Sequence, residues 1–383
     1  MSEYQYYEFQ AVDLPLTSKQ MAELRALSTR ANITATRFQN VYHYGDFKGD
    51  PLAVMEQYFD AFIYVANWGT HQLMLRLPTG LLDSQVARSY ADDEWLSVHD
   101  RGKVVILEFL SRDDEGGGWI DDEESASWMP RLLPLRAELA GGDLRALYLG
   151  WLARVEAGML DDEEIEPPVP AGLGRPSAAL KALAEFSRVS DELLAAAAAC
   201  SPDLRDEPSP GDIERWIENL PISDKDTLLN RLATGSDAHL RAEINRRVRD
   251  ANAPQPNTPA AGRTVAELLA AAAERADVRL REETERNVVA QARREREQAA
   301  ARTTFLDSLV GREEALWREA DALIETKRPK EYDQAVQHLI DLRDLSVRQE
   351  SAEAFVARLD ALRGRYAKRP SLLERLDRAG LTG

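Results

Sequence analysis

A single cysteine, Cys200, stands in 383 residues. No intramolecular disulfide can form, and a lone thiol suits a reducing compartment. Cys200 follows the apolar run LLAAAAA and reads as a small core residue of a helix rather than a reactive thiol. The first twenty residues lack a basic segment followed by an apolar one, and no uncharged run reaches the length of a bilayer span. A soluble, cytoplasmic protein without a membrane partner is expected.

Basic residues are also scarce. The chain has 48 Lys and Arg against 66 Asp and Glu, a formal charge of −18. Neutralising phosphates requires a surplus of cations on some face, so direct nucleic-acid binding is not expected. The deficit lies almost wholly in the first half: residues 1–170 hold 29 acidic and 14 basic residues, residues 171–383 hold 37 and 34. Arg246, Arg247, Arg293, Arg294 and Arg296 are the basic clusters, and adjacent glutamates offset the last three.

Signatures of familiar chemistry are missing as well. There is no G-x-x-x-x-G-K-[ST], no G-x-G-x-x-G after a strand, no G-x-S-x-G and no H-E-x-x-H. His43, His71, His99, His239 and His338 are the five histidines, and no two are spaced as a ligand pair on one helix face. Neither a metal nor a cofactor is expected. The acidic loop Asp113–Glu124 has glycine at the sixth and glutamate at the twelfth place of a calcium loop, but Gly117 occupies the fifth, where a ligand is needed. It reads as a solvated loop, with Trp119 in its acidic frame as a docking anchor for a basic partner.

Aromatic residues are present and concentrated. Tyr4–Pro78 holds 13 of the chain's 27 in about a fifth of its length. Tyr4–Val12 alternates as a strand, with Tyr7, Phe9 and Ala11 on one face and Tyr4, Tyr6 and Glu8 on the other. Thr17 and Gln20 fit a capping box before a helix lined by Met21, Leu24 and Leu27. Phe38, Tyr42 and Tyr44 are in phase on a second strand, Thr34–Tyr44, Asp50-Pro51 starts a second helix, and FIYVANW with QLMLRLP forms a hairpin in which Leu73, Leu75 and Leu77 share a face. VVILEFL, from Val104, is a strand inside the sheet. These elements predict an α+β fold, a small mixed sheet with helices on one face, followed by a predominantly helical region. A ferredoxin-like topology is one possibility.

The expected divisions are an acidic α+β domain with a trailing helix at 1–162, a proline-rich linker at 163–177, and a helical domain at 178–251. A second linker follows at 252–263, then a long charged helix at 264–329 and a C-terminal helical hairpin at 330–383. Residues 264–326 contain no proline and only Gly311, with alternating charge that suits a solvated helix or a broken coiled coil.

Two resemblances attach to these stretches. YQYYEFQAVDLPL, with HYGDFKGDP and YVANWGTHQLMLRLP, resembles the N-terminal block of a bacterial protein family with no assigned activity. IERWIENLPISDKDTLLNRL, EEALWREADALIETKRPKEYDQAV and AKRPSLLERLDRAGL are similar to the helical tails of bacterial SWIM zinc-finger proteins. That finger binds zinc through Cys-x-Cys and Cys-x-His, which a chain with one cysteine cannot supply. The resemblance therefore implies shared scaffolding or partners, without the zinc.

The leading expectation is a non-enzymatic adaptor of a bacterial cytoplasmic complex. It would bind protein partners, basic ones included, through the α+β domain and the helical arm, with Trp119, Trp317 and Tyr332 as contacts. One alternative is an acidic regulator of a nucleic-acid-processing complex. The other is an enzyme with His43, Asp46 and His71 converging at the edge of the sheet. An adaptor predicts an exposed apolar patch; an enzyme predicts a concave polar site.

Overall fold

The structure, a computed structural model, describes residues 3–113, 121–204, 208–234, 240–251 and 262–382. The chain divides into two compact units, Met1–Val278 and Arg279–Gly383.

The first unit is built on one sheet. Strands β1 (Gln5–Gln10), β2 (Asn32–Ile33), β3 (Arg37–Tyr42), β4 (Ala61–Ala66), β5 (His71–Pro78), β6 (Leu96–Asp100) and β7 (Val104–Ser111) lie in the order β2-β3-β1-β4-β5-β7-β6. Every ladder is antiparallel, so the sheet is not the mixed one expected. β1 lies antiparallel between β3 and β4, which excludes the split βαβ of a ferredoxin-like fold.

Alternation along β1 decides the two faces. Tyr7 and Phe9 enter one core with Phe38, Phe62, Met74 and Ile106, beneath α1 (Ser18–Leu27) and α2 (Pro51–Tyr58). The Phe9 ring sits 4.3 Å from that of Phe62 and 5.3 Å from that of Phe59, contacts worth about 0.5–1.5 kcal/mol each beyond their area. Both helix starts form as their caps predict: Thr17 and Gln20 make the reciprocal box, and Asp50 accepts from Leu52 N with Pro51 in the first turn.

Tyr4, Tyr6, Leu73, Leu75 and Leu77 face the opposite core. α3 (Ser84–Arg88), α4 (Asp122–Leu132), α5 (Pro134–Ala140), α6 (Arg145–Glu156), α7 (Ala178–Phe186) and α8 (Asp191–Ala198) supply its other side. Helices thus cover both faces of the sheet, where one was expected; a strand such as Val104–Ser111, apolar on both sides, requires it. The acidic loop is also shorter than expected. Asp121 caps α4 by accepting from Glu124 N at 2.8 Å, and Asp122, Glu123 and Glu124 fill its first turn, where the positive end of the helix dipole favours carboxylates.

The proline-rich stretch 163–177 is packed rather than a spacer. Leu173 is buried, the Arg145 guanidinium donates to Gly172 O at 2.9 Å, and Glu166 is held against Arg263. Of the stretch expected as a second linker, only Gly262 and Arg263 are among the described residues. Cys200 is exposed, not in the core: α8 ends at Ala198, so the chain turns away before the helical period would bring Cys200 inward. Three more helices complete this unit, α9 (Pro210–Asn219), α10 (Ile222–Thr234) and α11 (Leu240–Ala251). They are followed by the start of α12 (Val265–Asp307), whose Val265 and Leu268 join the core.

α12 ends at Asp307, well short of the long helix expected to 329. Gly311, at φ +79°, turns the chain into α13 (Glu313–Glu325). α14 (Pro329–Arg348), α15 (Ala352–Arg365) and α16 (Pro370–Arg378) follow, so the expected hairpin is part of a larger helical bundle. Its core combines Trp317, Ile324, Tyr332, Leu339, Phe355, Leu359 and Leu376 with Leu306 of α12. Arg302 pins the end of α12 to α14 through Asp341 and Asp344, both at 2.6 Å.

Candidate functional site

The polar edge of the sheet comes first, because the sequence places His43, Asp46 and His71 there. His71 pairs with Val65, Val65 with Tyr6, and Tyr6 with Val41. His43, beyond the end of β3, is therefore three strand spacings from His71, on the order of 14 Å. The two do not converge.

Each of the three has a structural occupation. His71 lies against Phe186, with ring centroids 4.8 Å apart, and its Nδ1 donates to Phe186 O at 2.9 Å. Burial pushes its pKa down to about 4, so it is a neutral imidazole. Asp46 turns to the other face, where its Oδ1 accepts from Tyr7 Oη at 2.6 Å and from Phe47 N at 2.7 Å. Burial, then Asp46 itself, pushes the Tyr7 hydroxyl far above the tyrosine range, which keeps it a donor. Exposed His43 has its ring 5.8 Å from that of Tyr4, a residue of the opposite core.

A groove of about 560 Å³ does run between Ala26–Arg30 and Asn40–Lys48 and is lined by Tyr42, His43 and Asp46. Within it, Tyr42 Oη and Asn40 Nδ2 both donate to Ser28 Oγ, at 3.0 and 3.2 Å. No hydrogen bond joins His43 to Asp46, so the groove lacks an assembled acid–base pair. Among the described residues no group of three or more His, Cys, Asp or Glu is placed to hold a metal ion. No helix among them is long and apolar enough to cross a membrane.

The expected partner contacts also move. Trp317 and Tyr332 are buried in the core of the second unit. Trp317 packs on Phe355 with centroids 5.6 Å apart and lies under the Arg358 guanidinium, 4.7 Å from its centroid. They hold the bundle together and offer no surface. Trp119 and His239 lie outside the described residues.

An apolar groove of about 780 Å³ lies between α9, α10 and α11. The local sequence builds each wall. Ser209 and Asp212 form a capping box with Pro210 in the first turn of α9, which orients a stripe of Ile213, Ile217 and Leu220 into the groove. Leu228, Leu229 and Leu232 line it from α10, and Leu240 and Ile244 from α11. The trio is anchored through α11. Arg246 donates to Leu81 O at 2.6 Å and Gly80 O at 2.8 Å, and buried Glu243 accepts from Arg231 at 2.6 Å.

Among the described residues, the trio has no cover. No side chain of α9 or α10 is buried, although both helices are amphipathic. Leu229 is 62% exposed, Leu232 68% and Ile222 76%. Such a cluster of apolar side chains exceeds the singly scattered ones that are normal on a free surface. Lys225 and Arg241 are the charged side chains that line it. No family model matches the chain, and neither a curated protein nor a solved structure is similar to it.

Proposed function

We propose that the protein is a non-enzymatic adaptor that takes an amphipathic helix of a partner protein into the groove between α9, α10 and α11. The open apolar faces of α9 and α10 carry this reading. Three stripes at helical spacing converge on one space, and a fourth helix is the element that fills such a space in helical bundles. Burying a leucine there contributes about 1.5–3 kcal/mol, so three or four anchors supply most of a useful affinity. A bacterial cytoplasm is the setting this reading takes, supported by the single cysteine and by the resemblance of the N-terminal block to bacterial proteins.

A photo-crosslinking side chain in place of Leu229 of the full-length chain, exposed in native cell extract, tests the proposal. The cross-links are expected to fall on one helical segment of one partner. That partner, purified, is expected to lose at least about tenfold in affinity for the Leu229→Asp/Leu232→Asp variant while binding His43→Ala unchanged. Scattered cross-links, or equal affinity for the groove variant, would overturn it.

A further inference from the structure

We infer that the helix received by this groove carries acidic residues beside its apolar stripe, an inference that rests on the docking reading above. Among the described residues, the charged side chains lining the groove, Lys225 and Arg241, are both cations. Lys225 is anchored beside the opening by donating to Glu218 O at 3.1 Å, which holds its ammonium at the rim. Arg241 is exposed on α11 with no ion-pair partner among the described residues. A helix seated on the leucines would thus meet positive charge on two of its three walls.

The net charge of −18 argues the other way, for a basic partner. Distance decides between them. At physiological salt the screening length is about 8 Å, so charges elsewhere on the chain act on approach, whereas Lys225 and Arg241 act at contact. The local sign governs the fit of the bound helix.

The test uses the full-length chain and two labelled helical peptides of about 18 residues with the same leucine stripe, one flanked by Glu and the other by Lys. Anisotropy is expected to show the Glu-flanked peptide binding about tenfold more tightly at about 0.15 M salt, with the gap closing near 1 M. Lys225→Glu/Arg241→Glu is expected to reverse the preference. Leu229→Asp/Leu232→Asp, at two exposed positions, is expected to keep the circular dichroism of the parent and to abolish binding of both peptides.

Equal affinity for the two peptides, still lost in the leucine variant, overturns the charge inference and leaves the docking reading standing. Binding that survives the leucine variant, or no binding of either peptide, removes both. Self-association of the chain that the leucine variant abolishes would make a second copy the occupant and likewise overturn the inference.

Discussion

Arg263 meets Glu166 through two parallel hydrogen bonds, Nε to Oε2 at 2.9 Å and Nη2 to Oε1 at 2.7 Å. The same carboxylate accepts from the buried Tyr148 hydroxyl, and Arg263 Nη1 donates to Ala196 O at 3.0 Å. One ion pair thus ties the proline-rich stretch, α6, α8 and the entry to α12 into a single core. The Glu166 side chain is 4% exposed and that of Arg263 16%, so removing either partner strands a charge away from water. Glu166→Ala and Arg263→Ala are each expected to destabilise the protein by about 3 kcal/mol, and the double variant by less than the sum. Urea unfolding followed by tryptophan fluorescence measures all three. Single variants within about 0.5 kcal/mol of the parent would show that the pair is not buried in solution.

Gly69 closes the β4–β5 turn at φ +92°. A Cβ there would stand 2.6 Å from Asp113 O, a backbone atom that cannot rotate aside. Its carbonyl also accepts from Arg188 Nη2 at 2.8 Å, so the turn cannot shift without breaking that bond. Gly69→Ala is expected to cost about 2 kcal/mol or more, read as a lower urea midpoint with an unchanged slope. A neutral outcome would mean that the Asp113 backbone yields.

Legibility follows how local each feature is. The alternation of Tyr6 and Tyr7, the Thr17–Gln20 box and the Leu73, Leu75, Leu77 face depend on neighbours a few residues away, and each forms as the sequence predicts. The packing of 163–177 does not. It depends on an arginine 97 positions beyond Glu166, while proline content signals only a break in regular structure. The carboxylates after Trp119 were legible as charge but not as helix caps, because the two roles use the same residues. At the site, the apolar stripes of α9 and α10 are visible as periodicity. That no described residue covers them is a property of the fold, as is the burial of Trp317 and Tyr332.

Glu350 sits where α14 stops, at φ +55°. Ser351 N donates to Ser346 O at 2.9 Å and Glu350 N to Val347 O, the paired bonds of a helix end that favours glycine. The exposed Glu350 side chain has no ion pair among the described residues to offset its strain. Glu350→Gly is expected to stabilise the protein by about 0.5–1 kcal/mol after the added entropy of the unfolded chain is subtracted, and Glu350→Ala not at all. Calorimetry on the full chain compares them. A gain from alanine equal to that from glycine would remove backbone strain as the cause.

His71 makes stability depend on pH with a definite sign. The folded chain holds it neutral down to about pH 4, because burial disfavours the imidazolium, while the unfolded chain takes up its proton near the ordinary value of 6.5. Between those two values the unfolded state binds more protons, so stability rises with pH and is lost as pH falls from 6.5 to 4. The loss is expected to be about 2–3 kcal/mol. Asp60 is also held low: burial alone would raise it, but the backbone N–H groups of Asp13 and Val12 and the Arg76 guanidinium outweigh that effect. Its share of stability is lost in more acidic solution, and equally in a chain without His71. Urea unfolding of the parent and of His71→Gln across pH 4–7 therefore isolates the histidine. The variant, which keeps a donor for Phe186 O, is expected to have the flatter profile. Parallel profiles would mean that His71 is protonated in the folded chain with its charge accommodated, against the burial that its stacking on Phe186 shows.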